Sequence, residues 1–174
     1  MRNNMIERLT DTLNNLHFPC EWRIQWFERE QKIEVIFMFE VKANENIKVM
    51  DKYQSVNHSN QFIFEDAVLL FHPSLAVLKD ENYLATIAFD DEKGISGGLI
   101  DAFCKTMRLV IGEALVELDE FMTSDAYDRF EIKWNKHNYL STVQTLRDTA
   151  RFDTLIYSYP SELPEGVVGN NEVE

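Results

Sequence analysis

Two stretches of strict alternation, separated by a short polar break, constrain this chain more than anything else in it. In EWRIQWF (Glu21 to Phe27), Trp22, Ile24 and Trp26 alternate with Glu21, Arg23 and Gln25. After a polar turn near Arg29 to Gln31, Ile33, Val35, Phe37, Phe39 and Val41 alternate in turn. A period of two sends one set of side chains to one face of a strand, so the segment predicts an antiparallel hairpin. The turn has no Asn-Gly pair to fix its geometry. The other face of the second strand is mixed. Ile36 and Met38 stand at its centre, between Glu34 and Glu40. A strand face of that kind needs a cover, whether helix, loop or second subunit, and Ile36 and Met38 are therefore the candidates for a partner surface.

The remaining elements follow from period and punctuation. Met5, Leu9, Leu13 and Leu16 recur at helical spacing, with Asn3 or Asn4 as the cap and Pro19 closing the segment. The polar stretch from Asn44 to Gln61 reads as a loop with at most a short strand. FIFEDAVLLFH predicts a third strand, and its unbroken apolar run Ala67 to Phe71 suits a central strand covered on both faces. Pro73 opens a connection, and YLATIAFD predicts a fourth strand. The longest element begins near Ser96. Leu99, Phe103, Met107, Val110, Ala114, Leu118 and Phe121 form one stripe, widened by Ile100, Ile111, Leu115 and Met122. RFEIKWN predicts a short strand, and NYLSTVQTLRDTARF a helix through Leu140, Val143, Leu146 and Ala150. FDTLIYSYP reads as an edge strand or docked extension. The expected fold class is α+β: an antiparallel meander of about five strands with one long helix and two shorter ones. Residues 1–159 are expected to form a single domain, and the acidic, Pro- and Gly-containing residues 160–174 a disordered tail.

Charge limits the partners. The 174 residues include 17 basic and 30 acidic side chains, a net charge of -13. Such a surface disfavours nucleic acid and anionic membranes, which need neutralising Lys and Arg. No signal-peptide core and no apolar run long enough for a membrane span is present in the sequence, which suggests a cytoplasmic location. Cys20 and Cys104 lie far apart and make no zinc or redox motif.

The chemistry-bearing candidates are few. AFDDEKGISGGLIDAF (Ala88 to Phe103) places three acids ahead of three glycines and a long helix. Asp90 and Asp91 could join Glu65 and Asp66 in a metal site if the third and fourth strands were antiparallel neighbours, bringing the start of one beside the end of the other. Against this, acids ahead of a helix complement its positive end, glycines permit a tight turn, and Ser96 is a natural cap. GISGG matches no phosphate-binding loop. Of His17, His58, His72 and His137, only His72, at a strand end beside Pro73, draws attention, and no pair has metal spacing. Lys105 beside Cys104 could lower its pKa, yet a helix interior is a poor place for a nucleophile. Trp22, Trp26 and Trp134 fit a core or an interface better than a stacking platform, because platforms for nucleic acid come with basic patches. No cofactor is implied.

FPCEWRIQWFEREQKIEVIFMFE, FEDAVLLFHP and YLATIAFDDEKGISGGLIDAF resemble an uncharacterised family of small acidic cytoplasmic proteins from Gram-positive bacteria. The resemblance covers most of the first 150 residues and implies no activity or site. The layout also resembles that of secretion-chaperone-like domains, a likeness of fold alone. Three functions are thus open: a non-enzymatic protein-binding domain, whose partner is a second copy in a homodimer or another protein; a metal-dependent hydrolase or nuclease using Glu65, Asp66, Asp90 and Asp91; and an acidic inhibitor or immunity-type protein.

Overall fold

In a computed structural model of the chain, residues 4–27, 30–42, 49–50, 56–57, 61–74, 82–123, 130–161 and 163–170 are described. Helix α1 (Met5–Asn15) is capped by Asn4, whose side-chain oxygen accepts from the Glu7 amide at 3.0 Å. It buries Met5, Ile6, Leu9 and Leu13. Strands β1 (Glu21–Phe27) and β2 (Lys32–Lys42) form the predicted hairpin, with Trp22 opposite Phe37 and Ile24 opposite Val35. Gln31 in the turn has φ 43°, the left-handed region. Two-residue strands β3 (Val49–Met50) and β4 (Val56–Asn57) pair in the polar stretch, most of which lies outside the described residues.

Strand β5 (Gln61–Phe71) pairs antiparallel with β2 over its whole length. Its apolar centre is covered on both faces, because Val68, Leu69 and Leu70 are all buried. Strand β6 (Ala85–Ala88) then pairs with β5 in parallel, Phe71 opposite Ala88. This overturns the expected antiparallel placement of the fourth strand. A parallel neighbour requires the chain to cross from one end of the sheet to the other. The end of that crossing reaches the outer face, where the Tyr83 hydroxyl donates to Glu34 at 2.6 Å.

Strand β7 (Gly94–Ser96) leads into α2 (Gly97–Thr123), the predicted long helix. Its buried residues Ile100, Phe103, Met107, Val110, Ile111, Ala114 and Leu118 join one core cluster with α1 and with the inner face of the sheet. Residues 130–135 have no regular secondary structure and pair with no strand among the described residues, correcting the expected RFEIKWN strand. Their side chains still alternate: Ile132 is buried, and Trp134 lies between Phe103 and Tyr139. Helix α3 (Lys136–Asp148) ends at Ala150, which takes φ 55° while the Arg151 amide donates to Leu146 O. That pattern is a left-handed helix stop, so Ala150 ends the helix instead of extending its stripe.

Strand β8 (Ile156–Ser158) is the docked extension, and it pairs antiparallel with β7. Past Pro160 the described residues include one more strand. Strand β9 (Gly166–Gly169) pairs antiparallel with β1 and completes a five-stranded sheet of order β6-β5-β2-β1-β9. The fold is α+β, with a mostly antiparallel sheet and, among the described residues, three helices, one of them long.

Candidate functional site

The four acids proposed for a metal do not converge. In the parallel register, Asp90 and Asp91 lie past the Phe71–Ala88 end of the sheet, while Glu65 and Asp66 lie five and six residues back along β5. At about 3.3 Å per residue the two pairs stand roughly 20 Å apart. Each acid has local work. Glu65 is exposed and 3.8 Å from Arg23. Asp66 shares the core face with Phe37, and its carboxylate accepts from the Ala67 amide. Asp90 accepts from the Ser96 amide at 2.8 Å, and Asp91 from the Lys93 amide at 2.9 Å. Among the described residues, no three His, Cys, Asp or Glu side chains are grouped to hold a metal ion. The antiparallel condition on which the hydrolase reading rested is not met.

The glycine stretch is a docking floor. None of its glycines has a positive φ, so a tight turn is not their reason. A Cβ on Gly94 would fall inside the Tyr157 carbonyl, and one on Gly97 would collide with the Asp153 carboxylate. Gly97 and Gly98 amides donate to Leu155 O (2.9 Å) and Asp153 O (2.8 Å), so main-chain carbonyls satisfy the first amides of α2. Ser96 is therefore no side-chain cap; its hydroxyl is buried and has no hydrogen-bond partner among the described residues.

Beside this floor lies a polar clasp. Arg8 on α1 reaches Asp101 on α2 at 2.8 Å and Asp153 at 3.4 Å. It also donates to the Thr12 hydroxyl and lies over the Tyr157 ring at 5.3 Å. Tyr157 donates to Asp153 at 2.9 Å. Burial disfavours the Arg8 cation, but Asp101 and Tyr157 together outweigh it and raise the pKa above its ordinary value. Every member is spent on another member, so the clasp holds α1 to α2 and β8 and leaves no group poised to react.

The other candidates are likewise occupied. His72 accepts from the Ser74 amide at 3.1 Å and sets its ring edge-on to Phe89. His58 lies outside the described residues. Burial drives the Cys104 thiol up, the opposite of the effect expected from Lys105, and Cys104 is fully enclosed. Trp22 is core. Trp26 donates from its indole to Pro164 O at 2.8 Å. Ile36 is 8% exposed, covered by the chain itself.

Among the described residues, one groove of about 650 Å³ is open at the end of the sheet where β1 begins and β2 ends. Its walls are Pro19, Cys20, Met38, Phe39, Ile63 and Leu115, and Glu21 and Glu40 stand on its rim. The register explains this gathering: Glu21 faces Met38, and Glu40 faces Ile63 across adjacent strands. Ile63 is 67% exposed, a large apolar side chain with little to cover it. Burial pushes the Cys20 thiol up to about 12, so at neutral pH it is an apolar, protonated wall rather than a nucleophile. Met38 was legible as a surface residue in the sequence. Ile63, Leu115 and Pro19 were not, because only the fold brings them to it.

Comparison with known proteins adds the following. A family described as a protein of unknown function, DUF3013, matches residues 1–161, ending just ahead of β9. No curated protein matches the chain. The crystal structure of a conserved protein of unknown function from Enterococcus faecalis is similar, with a TM-score of 0.80 and 24% identity over 92% of this chain and 97% of that one. At that identity the likeness establishes the fold. Among the described residues, no helix is long and apolar enough to cross a membrane.

Proposed function

We infer the role of this chain, which belongs to the DUF3013 family of proteins of unknown function, from the groove beside Ile63. It is a non-enzymatic cytoplasmic domain that binds a protein partner by an apolar anchor flanked by basic residues. The observation that carries this is one surface combining an apolar floor, an exposed Ile63 and an acidic rim at Glu21 and Glu40. An apolar side chain entering such a groove gains about 1.5–3 kcal/mol from burial. Acids on the rim, in a chain of net charge -13, speed encounter with a basic partner and exclude acidic ones. The acidic-inhibitor reading needs acids ordered along one face. Here exposed acids are spread over α1 (Glu7, Asp11), α2 (Glu113, Glu117, Glu120), α3 (Asp148) and the strands (Glu21, Glu40, Glu65).

The test is affinity capture from cells of the source organism with the wild-type chain and with Ile63→Asp, each at low and high salt. One protein held by the wild type, lost with Ile63→Asp and weakened by salt supports the reading. Capture indifferent to Ile63→Asp refutes it. So does wild-type self-association that Ile63→Asp abolishes, which would give the groove to a homodimer.

A further inference from the structure

Strand β9 is a poorly anchored occupant of a sheet edge. It contributes four residues, Gly-Val-Val-Gly, to a β1 strand of seven. Two of the four carry no side chain, and Val167 is 49% exposed. Besides the four-residue ladder and the partly buried Val168, its hold is a handful of polar contacts. Trp26 donates to Pro164 O, the Trp22 amide donates to the Asn170 side-chain oxygen at 2.9 Å, the Asn170 amide donates to Trp22 O, and the Asn170 side-chain nitrogen donates to Cys20 O at 3.2 Å. Segments with little buried side chain and few contacts open first. An opened β1 edge shows a row of unpaired backbone donors and acceptors, which is a template for another strand.

The edge also leads into the groove. Cys20 offers its carbonyl to Asn170 and its side chain to the groove wall, so a strand running along β1 in the β9 direction arrives at the groove.

We propose that the β1 edge is a strand-receiving site that β9 occupies in the resting chain, and that the partner inserts an extended segment there and runs on into the groove. This rests on the groove reading above. The resident contacts define the segment's chemistry. It has glycine opposite Trp26, where a Cβ would meet the indole at 2.6 Å, and glycine opposite Arg23, where one would meet Trp22 O at 2.8 Å. An apolar residue stands opposite Ile24, as Val168 does. Past Asn170 come apolar and basic residues for the groove floor and rim. A second copy's identical segment cannot win this site. The tethered β9 acts at an effective concentration on the order of millimolar with the same contacts. The residues that follow Asn170 in this chain, Asn-Glu-Val-Glu, carry the same sign of charge as Glu21 and Glu40, so a segment with apolar and basic residues at those positions gains an attraction that this sequence lacks.

The test uses the full chain and two fluorescein-labelled peptides. One is residues 163–170, and the other is the same segment extended by Leu-Lys-Leu-Lys. Anisotropy reads binding, and hydrogen exchange over 163–170 reads release of β9. Gly166→Val dislodges β9 by steric conflict with Trp26, and Asn170→Ala dislodges it by removing side-chain hydrogen bonds at an exposed position that the core does not need. Both variants are expected to deprotect 163–170 and to bind the extended peptide at least about tenfold tighter than the wild type, the short one less tightly. If 163–170 is released and affinity for the extended peptide does not rise, the proposal is overturned. It is equally overturned if neither variant releases the segment. Ile63→Asp separates the two readings. If it weakens the extended peptide in all backgrounds while the β9 variants change nothing, the groove stands and the strand site falls. If the β9 variants tighten both peptides and Ile63→Asp changes nothing, the strand site stands and the groove falls.

Discussion

Gly94 and Gly112 undergo the same chemical change on replacement by alanine, and the structure gives that change opposite signs. At Gly94 the added methyl falls inside the Tyr157 carbonyl, with Ser158 Cα at 2.9 Å. Both partners are backbone, so no rotamer offers escape. The β7–β8 ladder, Gly94 to Ser158 through Ser96 to Ile156, must shift or part. Overpacking of this kind costs about 1–3 kcal/mol, and each ladder hydrogen bond lost adds about 1 kcal/mol, so Gly94→Ala should destabilise by about 3 kcal/mol. At Gly112, inside α2, the methyl meets only the Arg108 guanidinium at 3.6 Å. There the helix gains about 1 kcal/mol from replacing glycine. Urea unfolding followed by tryptophan emission suits the comparison, since Trp22 is buried. With a denaturant slope of about 2 kcal/mol/M, the Gly94→Ala midpoint should fall by about 1.5 M and the Gly112→Ala midpoint rise by about 0.5 M. A Gly94→Ala midpoint within about 0.3 M of wild type, or a Gly112→Ala midpoint below it, refutes the reasoning.

Two further outcomes follow from the same geometry. Ala150, exposed at φ 55°, should accept glycine with a gain of about 1 kcal/mol, because the left-handed conformation strains a Cβ; thermal unfolding of Ala150→Gly checks this, and a lowered Tm counts against it. Stability should also fall in alkali. Burial holds Cys20 at about 12 and Cys104 higher still, and burial raises Tyr139 to about 12. Each is neutral when protonated, and each folded pKa lies above its unfolded value, about 8.5 for thiols and about 10 for tyrosine. Their contribution is therefore complete below about pH 8.5 and is lost as pH climbs toward 12. Denaturant midpoints at pH 8, 9, 10 and 11 should decline, and Cys104→Ala should flatten the early part; a rising midpoint excludes the assignment.

The hairpin was legible because alternation is a local signal, and β1 and β2 carry it over most of their length. The covered centre of β5 was legible for a related reason: an unbroken apolar run from Ala67 to Phe71 has no polar face to give to water. The parallel β5–β6 joint was not, since nothing in YLATIAFD records which way its neighbour runs. That error alone made the four-acid site conceivable. Residues 130–135 show the limit from the other side. Side chains alternate there between buried and exposed as they do in a strand, but a hydrogen-bonding neighbour leaves no mark on the pattern. Strand β9 was hidden by its surroundings, four residues in an acidic, proline-containing stretch whose composition argues for disorder. The glycines of GISGG stand out in the sequence, but their cause does not, because the segment they accommodate lies some sixty residues further along the chain.

That distance matters for how the molecule comes to exist. The clasp pairs Arg8 with Asp153 across 145 positions of sequence, and the same late segment supplies the carbonyls that satisfy the first amides of α2. On a ribosome, α1 is made early; its Arg8 waits for Asp101 until α2 has emerged, and for Asp153 until later still. Assembly that depends on such remote closure is slow relative to helix formation, because loop-closure entropy must be met before the contact returns anything. The apolar side of α1, with Met5, Leu9 and Leu13, is covered by α2 and the inner face of the sheet, so it stays uncovered until α2 has emerged, while the polar clasp closes only with the segment near 153.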